Sequence, residues 1–161
     1  MHFGTRHAFK SVVAARAAGA DVTLHARHDA QREAGERLGA REEGPADYDM
    51  VIESAGTESA LASAVEKVRP GGQLVLVATY WEGMVLPGIQ LCLKEVQIVT
   101  SSMYGREGDT RDFDRAAALV AQIPGLAEIL ITHRFPLDEA VRAFATARDR
   151  AEGAIKVVLE A

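Results

Sequence analysis

Residues 48–80, YDMVIESAGTESALASAVEKVRPGGQLVLVATY, contain the pattern from which the fold class can be predicted. The apolar beginning of this stretch predicts a strand, within 47–56, that stops at Gly56. Thr57 then caps a predicted helix that runs through Val68. The inward face of this helix has helical spacing and consists of Leu61, Ala64, Val65 and Val68. The turn RPGG leads into a second apolar run, typical of a strand that helices cover on both faces of a parallel sheet.

The same alternation of strand and helix continues on both sides of this stretch. Strands are predicted at 21–26, 47–56, 73–80, 95–102, 128–135 and 154–160. Helices are predicted at 6–18, 30–39, 57–68, 110–122 and 138–150, with a short helical turn at 89–94. This alternation predicts an α/β protein with a doubly wound, Rossmann-like parallel sheet.

The first two helices carry packing and end signals of their own. Gly19 is a natural helix stop, Asp29 is a capping residue for the second helix, and Gly39 ends that helix. One face of the first helix is apolar and consists of Phe9, Val12, Val13 and Ala17.

The composition narrows the classes of partner. The 161 residues are 48% hydrophobic and 25% charged, as in a globular domain. The net charge of −5 argues against nucleic acid and anionic membranes as partners, because both repel an acidic protein. No apolar run approaches the roughly 20 residues of a membrane-spanning helix. The N-terminus also lacks the apolar core of a signal peptide, and we therefore expect a cytoplasmic location.

Cysteine usage excludes two further kinds of site. Cys92 is the only cysteine, so the chain forms no intrachain disulfide and no zinc site with several thiolates. Because Leu91 and Leu93 flank it, we expect Cys92 to be a buried apolar side chain rather than a nucleophile. No cluster of His, Cys and Asp has the spacing of metal ligands.

Four segments carry a resemblance to a known family. They are RAAGADVTLHARHDAQREAGERLGA (16–40), the opening stretch (48–80), KEVQIVTSS (94–102) and ITHRFPLDEAVRAFATARDRAEGAIKVVLE (131–160). In this order and spacing they resemble the medium-chain dehydrogenase/reductase family, and especially its zinc-type alcohol and polyol dehydrogenases. One segment alone would be weak evidence for the family, since RPGGQLVLV also occurs in methyltransferases.

The resemblance covers only the C-terminal half of these enzymes. It implies an N-terminally truncated NAD(P)-binding domain at 1–127 and a tail at 128–161 that packs on the catalytic domain in the family. The zinc-binding positions of that catalytic domain have no counterpart, so we expect neither zinc nor a catalytic residue in this chain. The family also dimerises through the strand that matches 95–102, which implies a homodimer.

Most of the first strand of the family's sheet has no counterpart either. That strand lies at the centre, so we expect 21–26 and the strand at 47–56 each to have an unpaired edge. Three outcomes are open: the two strands close up on each other, another chain supplies partners, or the chain folds less stably.

The resemblance implies cofactor contacts at two places near the N-terminus. Gly4, Thr5 and Ala8 lie where the family has its phosphate-binding loop, although the glycine spacing is incomplete and a frayed turn is the alternative. NAD enzymes of the family have an acidic residue that binds the ribose at the end of the second strand. Ala26 stands at that position here, Arg27 and His28 follow it, and Arg32 lies one turn further on. Arginines suit a 2′-phosphate, so NADP is favoured over NAD, with a solvated basic loop as the alternative.

Further candidates follow the strand ends, where doubly wound sheets bind ligands. These small residues are Ser54, Ala55, Gly56, Ala78, Thr79, Ser101 and Ser102, for which ordinary turn chemistry is the alternative. Lys156 matches a basic position near the pyrophosphate, or is simply an exposed lysine. Glu53 is expected to orient local backbone or cofactor groups. His133 is expected to be packed or solvated rather than catalytic.

Three functions therefore compete. The first is the cofactor-binding portion of a zinc-type alcohol dehydrogenase-like oxidoreductase, not catalytic alone. The second is a non-enzymatic, dimerising Rossmann-like module. The third is a methyltransferase, which leaves the segment ITHRFPLDEAVRAF without a purpose.

Overall fold

A computed structural model describes residues 8–42, 44, 47–81, 83–149 and 152–161 of the chain. In chain order the helices are α1 (Ala8–Ala17), α2 (Asp29–Arg37), α3 (Glu58–Lys67), α4 (Gly88–Lys94), α5 (Asp112–Ala121), α6 (Leu126–Leu130) and α7 (Ala140–Arg148). The strands are β1 (Tyr48–Glu53), β2 (Val68–Leu76), β3 (Gln97–Thr100), β4 (Arg106–Glu107), β5 (Thr110–Arg111), β6 (Ile131–Pro136) and β7 (Lys156–Glu160). In the part of the chain described, no helix is long and apolar enough to cross a membrane.

The central element is a three-stranded parallel sheet in the order β1-β2-β3. Val51 pairs with Leu74, and Leu74 pairs with Ile98. The predicted α/β class with a parallel sheet is therefore confirmed. The predicted turn RPGG lies inside β2, where the pairing with β1 shifts in register between Tyr48 and Met50.

Helix α3 crosses from β1 to β2 as the sequence predicts. The Thr57 hydroxyl caps it by accepting a hydrogen bond from the Ala60 amide at 3.2 Å. The predicted inward face is fully buried and packs with Val51, Leu74 and Leu76 as one apolar cluster, here named the sheet cluster. Its members from the predicted face are Leu61, Ala64 and Val65 of α3 and Val68, which is the first residue of β2 rather than the end of the helix.

Lys94, the last residue of α4, holds the C-terminal end of α3. Its ammonium group donates to the carbonyl oxygens of Val65 at 3.0 Å, Glu66 at 2.7 Å and Val68 at 2.7 Å. Helix ends leave carbonyl groups without intrahelical partners and carry partial negative charge. Lys94 therefore satisfies three acceptors and fastens the β2–β3 connection to α3.

The N-terminal part forms a second apolar cluster, the N-terminal cluster. Phe9, Val12, Val22, Leu24 and the first residue of α1 are buried in it. The rest of the cluster is Ala26, Ala34, Ala40 and Ile155, with Ile52, Ile129 and Leu130 packed against it. Segments from near both ends of the chain thus pack in this cluster, on the face of β1 that carries Ile52.

Gly19 ends α1 as predicted. It has a φ of +82°, and its amide donates to the Arg16 carbonyl while the Ala20 amide donates to that of Ala15. These two bonds form a Schellman motif, which requires the left-handed conformation that glycine adopts cheaply. The apolar face of α1 is confirmed except for Ala17, which is exposed because it is the last residue of the helix and lies beyond the core.

The predicted strand at 21–26 is wrong as a regular strand. Thr23 forms a parallel bridge with Arg41, framed by the bonds Leu24 N to Arg41 O and Arg41 N to Val22 O, and His25 is a second bridge residue. These bridges are isolated, whereas a regular strand needs a continuous ladder of several pairs. In the described residues, β1 likewise pairs with β2 alone. The two segments therefore do not close up on each other.

Two local predictions are also wrong. Helix α2 has His28 at its N-cap, without a side-chain bond, while Asp29 is the first helical residue and forms an ion pair with Arg32. Cys92 is exposed. Successive residues of a helix point about 100° apart, so the inward position of Leu91 says little about its neighbour, and Leu93 is exposed as well.

The C-terminal region is a separate parallel pair, β6 with β7, joined through a short 3-10 helix (Leu137–Glu139) and α7. The predicted strand at 128–135 is wrong at its beginning, because residues 126–130 are helix α6. Leu126, Ile129 and Leu130 have helical spacing and pack inward. The segment after β3 contains the antiparallel hairpin β4–β5, in which Gly105 and Asp112 exchange hydrogen bonds.

Candidate functional site

The loops after β1 and β2 meet at one end of the sheet, here named the carboxyl edge. The last backbone bond between the strands runs from the Val77 amide to the Glu53 carbonyl at 2.9 Å. Beyond it, Gly56 has a φ of +71° and lies against the second loop. A β-carbon at Gly56 would lie 3.2 Å from the Thr79 carbonyl oxygen and 3.3 Å from the Ala78 Cβ. Glycine adopts this conformation without strain, and a side chain here would crowd the second loop.

A buried carboxylate organises both loops. Glu53 is fully buried, and its Oε1 accepts hydrogen bonds from the Ala55 amide at 2.6 Å and the Gly56 amide at 3.0 Å. Its Oε2 accepts a hydrogen bond from the Tyr80 hydroxyl. Burial, and then the hydrogen bond and charge of Glu53, raise the pKa of Tyr80 well above its ordinary value. Glu53 thus orients local backbone, and it also reaches the next loop.

Ser54 has an unsatisfied polar group at the same edge. Its side chain is buried, and its hydroxyl has no hydrogen-bond partner among the described residues. Buried hydroxyl groups are normally paired, because an unpaired one costs free energy. The unpaired Ser54 hydroxyl therefore marks the carboxyl edge as a candidate position for a polar ligand.

The third loop of the carboxyl edge follows β3. The Ser101 amide donates to the Leu76 carbonyl at 2.9 Å, which extends the pairing of β2 and β3 by one bond. Ser101, Ser102 and Met103 are all exposed, and Met103 has a φ of +69°. The structure thus brings the residues 54–56, 78–79 and 101 together at one edge.

Arg27, His28 and Arg32 form a separate corner at the start of α2. Arg32 donates to the Ala26 carbonyl at 3.0 Å and pairs with the Asp29 carboxylate, while Arg27 is exposed. A shallow depression of about 270 Å³ lies beside them, lined by residues 24–26 with Arg32, Glu36, Arg41 and Glu42. Arg41 also pairs with Asp21, so acidic partners reduce the positive charge of this corner.

The other candidates lie elsewhere. Gly4 and Thr5 fall outside the described residues, and Ala8 is buried in the N-terminal cluster as the first residue of α1. Lys156 is exposed at the start of β7, where it pairs with Ile131. His133 is half-buried in β6 and shares a hydrogen bond of 2.9 Å with the Thr132 hydroxyl, as expected for a packed histidine.

Within the described ranges, no three His, Cys, Asp or Glu side chains converge in a way that could hold a metal ion. Two contributors were missed by sequence reasoning. The sequence pattern places Tyr80 at the end of a strand and Lys94 in a helical turn. Both act through tertiary hydrogen bonds to residues 27 and 26–29 positions away, which no local pattern signals.

The chain has parallel strands joined by helices, and the loops after the strands meet at the carboxyl edge. These features define the class of doubly wound α/β proteins. Within this class, the chain matches the zinc-binding dehydrogenases over residues 41–122. The match covers just over half of the 161 residues, and the chain belongs to the zinc-binding dehydrogenase family. The resemblance predicted from the sequence is confirmed.

Curated relatives are polyol dehydrogenases. L-arabinitol 4-dehydrogenase of Hypocrea jecorina is 30% identical over 113 residues, which are 69% of this chain and 28% of that protein. Sorbitol dehydrogenase of Rattus norvegicus is 30% identical over 138 residues, which are 83% of this chain and 36% of that protein. The chain thus spans roughly a third of the length of these relatives.

Solved structures share the fold. The 2R,3R-butanediol dehydrogenase of Bacillus subtilis superposes with a TM-score of 0.80 at 18% identity, over 99% of this chain and 49% of that chain. A short chain alcohol dehydrogenase from E. coli CFT073, complexed with NADH, has a TM-score of 0.78 at 20% identity, over 99% and 51%. A putative zinc-binding dehydrogenase from Sinorhizobium meliloti 1021, bound to NADP, has a TM-score of 0.76 at 23% identity, over 99% and 51%.

Proposed function

We propose that this chain is the nicotinamide-dinucleotide-binding portion of an alcohol or polyol dehydrogenase-like oxidoreductase. The buried Ser54 hydroxyl carries the proposal, because it lacks a protein partner in the described residues at the edge where doubly wound sheets bind ligands. A bound nicotinamide dinucleotide supplies the hydride acceptor or donor. We propose that the residues at 54–56, 78–79 and 101–102 provide the surface for it, and Gly4, Thr5, Ala8 and Lys156 are assigned to the pyrophosphate by the family resemblance alone.

Ser54 allows a sharp test of this binding site. Replacing Ser54 with Ala removes an unsatisfied hydroxyl, so the free protein is expected to be equally stable or more stable. The same change is expected to weaken NADPH binding roughly fivefold, as the loss of about 1 kcal/mol of hydrogen bonding. Ser63→Ala, on the half-buried side of α3, is the matched control and leaves both quantities unchanged.

Titration of the purified chain with NADPH and NADH measures these affinities, with calorimetry or quenching of Trp81, the only tryptophan, as the signal. Failure of the wild-type chain to bind either dinucleotide would contradict the proposal. Binding of S-adenosylmethionine in place of both would support the methyltransferase alternative.

We infer a preference for NADP over NAD. Ala26 stands where an acid would repel a 2′-phosphate, and Arg32 donates to the Ala26 carbonyl, so its positive charge is held at that position. Arg27 and His28 complete the corner. A lower dissociation constant for NADPH than for NADH is the expected result, and equal affinities would count against this assignment.

We propose further that the chain does not oxidise alcohols by itself. The family's zinc-binding positions have no counterpart in its sequence, and residues 128–161 are proposed to contact the catalytic domain that supplies them. Exposed apolar side chains of this tail, Leu137, Val141 and Phe144, suit such a contact. Zinc-dependent alcohol oxidation by the purified chain alone would contradict this proposal. We also propose a cytoplasmic location, because a chain with one cysteine forms no intrachain disulfide and disulfides are rare in the reducing cytosol.

A second function, an association module, has its own supporting observation. All four residues of β3 are exposed, and Ile98 and Val99 retain 38% and 39% of their accessible surface although they pair with β2. In the described residues the other edge of β3 has no strand partner. We propose that two copies pair through this edge as a homodimer, because such an edge is a template for another strand.

Light scattering after size-exclusion chromatography tests the homodimer. Val99→Lys is expected to give a monomer, since a lysine on an edge strand opposes pairing. Val141→Lys places the same change on an exposed position of α7 and is expected to leave the dimer intact. A wild-type chain that elutes as a monomer at all concentrations would refute the dimer.

A further inference from the structure

The hydrogen bonds of Glu53 join two loops that the backbone ladder leaves separate. One carboxylate oxygen accepts from the amides of Ala55 and Gly56, which belong to the loop after β1. The other accepts from the Tyr80 hydroxyl, which belongs to the loop after β2. The bond from Val77 to Glu53 is the last backbone bond between these strands, so the carboxylate lies just beyond the end of the ladder.

These contacts determine the position of Ser54. It lies between Glu53, which is fully buried, and Ala55, whose amide the Glu53 carboxylate holds at 2.6 Å. Gly56, the next residue, is held by the same carboxylate and packs against Thr79. A change in the Glu53–Tyr80 bond would therefore shift the loop that carries the unpaired hydroxyl relative to the loop at 78–79.

We infer that Glu53 and Tyr80 form a clamp that positions the two loops for dinucleotide binding, without contacting the dinucleotide. This inference rests on the proposed function, since it assigns positioning residues to the same site. Groups held in place before binding add affinity because their ordering does not have to be supplied by the ligand. Loss of the clamp lowers affinity even where the fold is retained.

Tyr48 provides a matched control for Tyr80. Both tyrosines are half-buried and both use their hydroxyl groups, but Tyr48 lies at the opposite end of β1 and accepts a hydrogen bond from the Gly44 amide at 3.1 Å. Tyr80→Phe and Tyr48→Phe therefore remove the same atom at opposite ends of the β1–β2 pair. Glu53→Gln is a second clamp variant that keeps the side-chain shape.

Calorimetric titration of the full chain with NADPH is the experiment, together with chemical denaturation and amide NMR spectra of each variant. Tyr80→Phe and Glu53→Gln are expected to weaken NADPH binding roughly fivefold, and Tyr48→Phe less than about twofold. In the NMR spectra, Tyr80→Phe shifts the amides of Ala55 and Gly56, which a remote loss of stability would not do.

Three results overturn the inference in distinguishable ways. Unchanged NADPH affinity in Tyr80→Phe refutes the clamp and leaves the proposed function intact. Equal weakening in Tyr80→Phe and Tyr48→Phe shows a general loss of stability rather than positioning, and also refutes it. If the wild-type chain binds neither NADPH nor NADH, the proposed function fails, and the clamp fails with it.

Discussion

Lys94→Met is a direct test of how α3 is fastened to the sheet. The ammonium of Lys94 donates to three carbonyl groups, two of them in partly buried surroundings near Val65 and Val68. A hydrogen bond from a charged group contributes about 1.5–3 kcal/mol, and a cation at a partly buried helix C-terminus up to about 2 kcal/mol. These contributions overlap, because they describe the same contact. We expect the variant to lose about 2–3 kcal/mol of unfolding free energy.

Urea denaturation followed by circular dichroism measures this loss. For a chain of this size, the same loss lowers the melting temperature by roughly 4–12 °C. Lys10→Met, which removes an exposed lysine from the first turn of α1, is the control and is expected to stay within about 0.5 kcal/mol of the wild-type chain. If Lys94→Met also stays within that range, the three carbonyl contacts do not stabilise the fold, and the reasoning is refuted.

Three other predictions concern packing, cofactor preference and pH. Gly72→Ala places a β-carbon 2.7–3.0 Å from Val68 Cγ2 and two carbonyl oxygens, and is expected to cost about 1–3 kcal/mol on denaturation, whereas Gly88→Ala, with open space, costs nothing. Asp29→Asn frees Arg32 from its exposed ion pair and is expected to favour NADPH over NADH by up to about fivefold at low salt; an effect that persists at high salt would contradict this cause. Folding raises the pKa of Tyr80 above its ordinary value of 10.0. The stability that the protonated Tyr80 contributes is therefore complete below that pH and is lost as pH rises above it. Denaturation midpoints are expected to fall more steeply with alkaline pH in the wild-type chain than in Tyr80→Phe.

The sequence predicts those features that depend on local periodicity and end signals. Thr57 caps α3 through a hydrogen bond to a residue only three positions along the chain, Ala60. The inward face of α3 follows from the spacing of its apolar residues. Gly19 ends α1 because the Schellman motif needs one residue in the left-handed conformation. The family resemblance adds the order of the elements, and for this reason the fold class was predictable from the sequence.

Features that depend on distant partners were not predictable in this way. The segment at 21–26 has the composition of a strand, but strand formation needs a continuous ladder, and the bridges at Thr23 and His25 are isolated. Residues 126–130 have helical spacing, but a short apolar run is also typical of a strand, so the pattern alone did not distinguish the two. At the candidate site, small residues at strand ends were predictable from composition, while the carboxylate contact to Tyr80 joins two loops that only the folded chain brings together.

Neighbouring residues of β1 belong to different cores, and this has a consequence for how the chain opens. Val51 is buried in the sheet cluster, whereas Ile52 packs against the N-terminal cluster, because successive strand residues point to opposite faces. β1 is therefore the wall that both cores share. In a hydrogen-exchange experiment we expect two groups of amides with separate opening free energies, with β2 in the slower group and α1 in the faster one. Ile52→Ala should speed exchange in α1 and leave the amides of β2 protected.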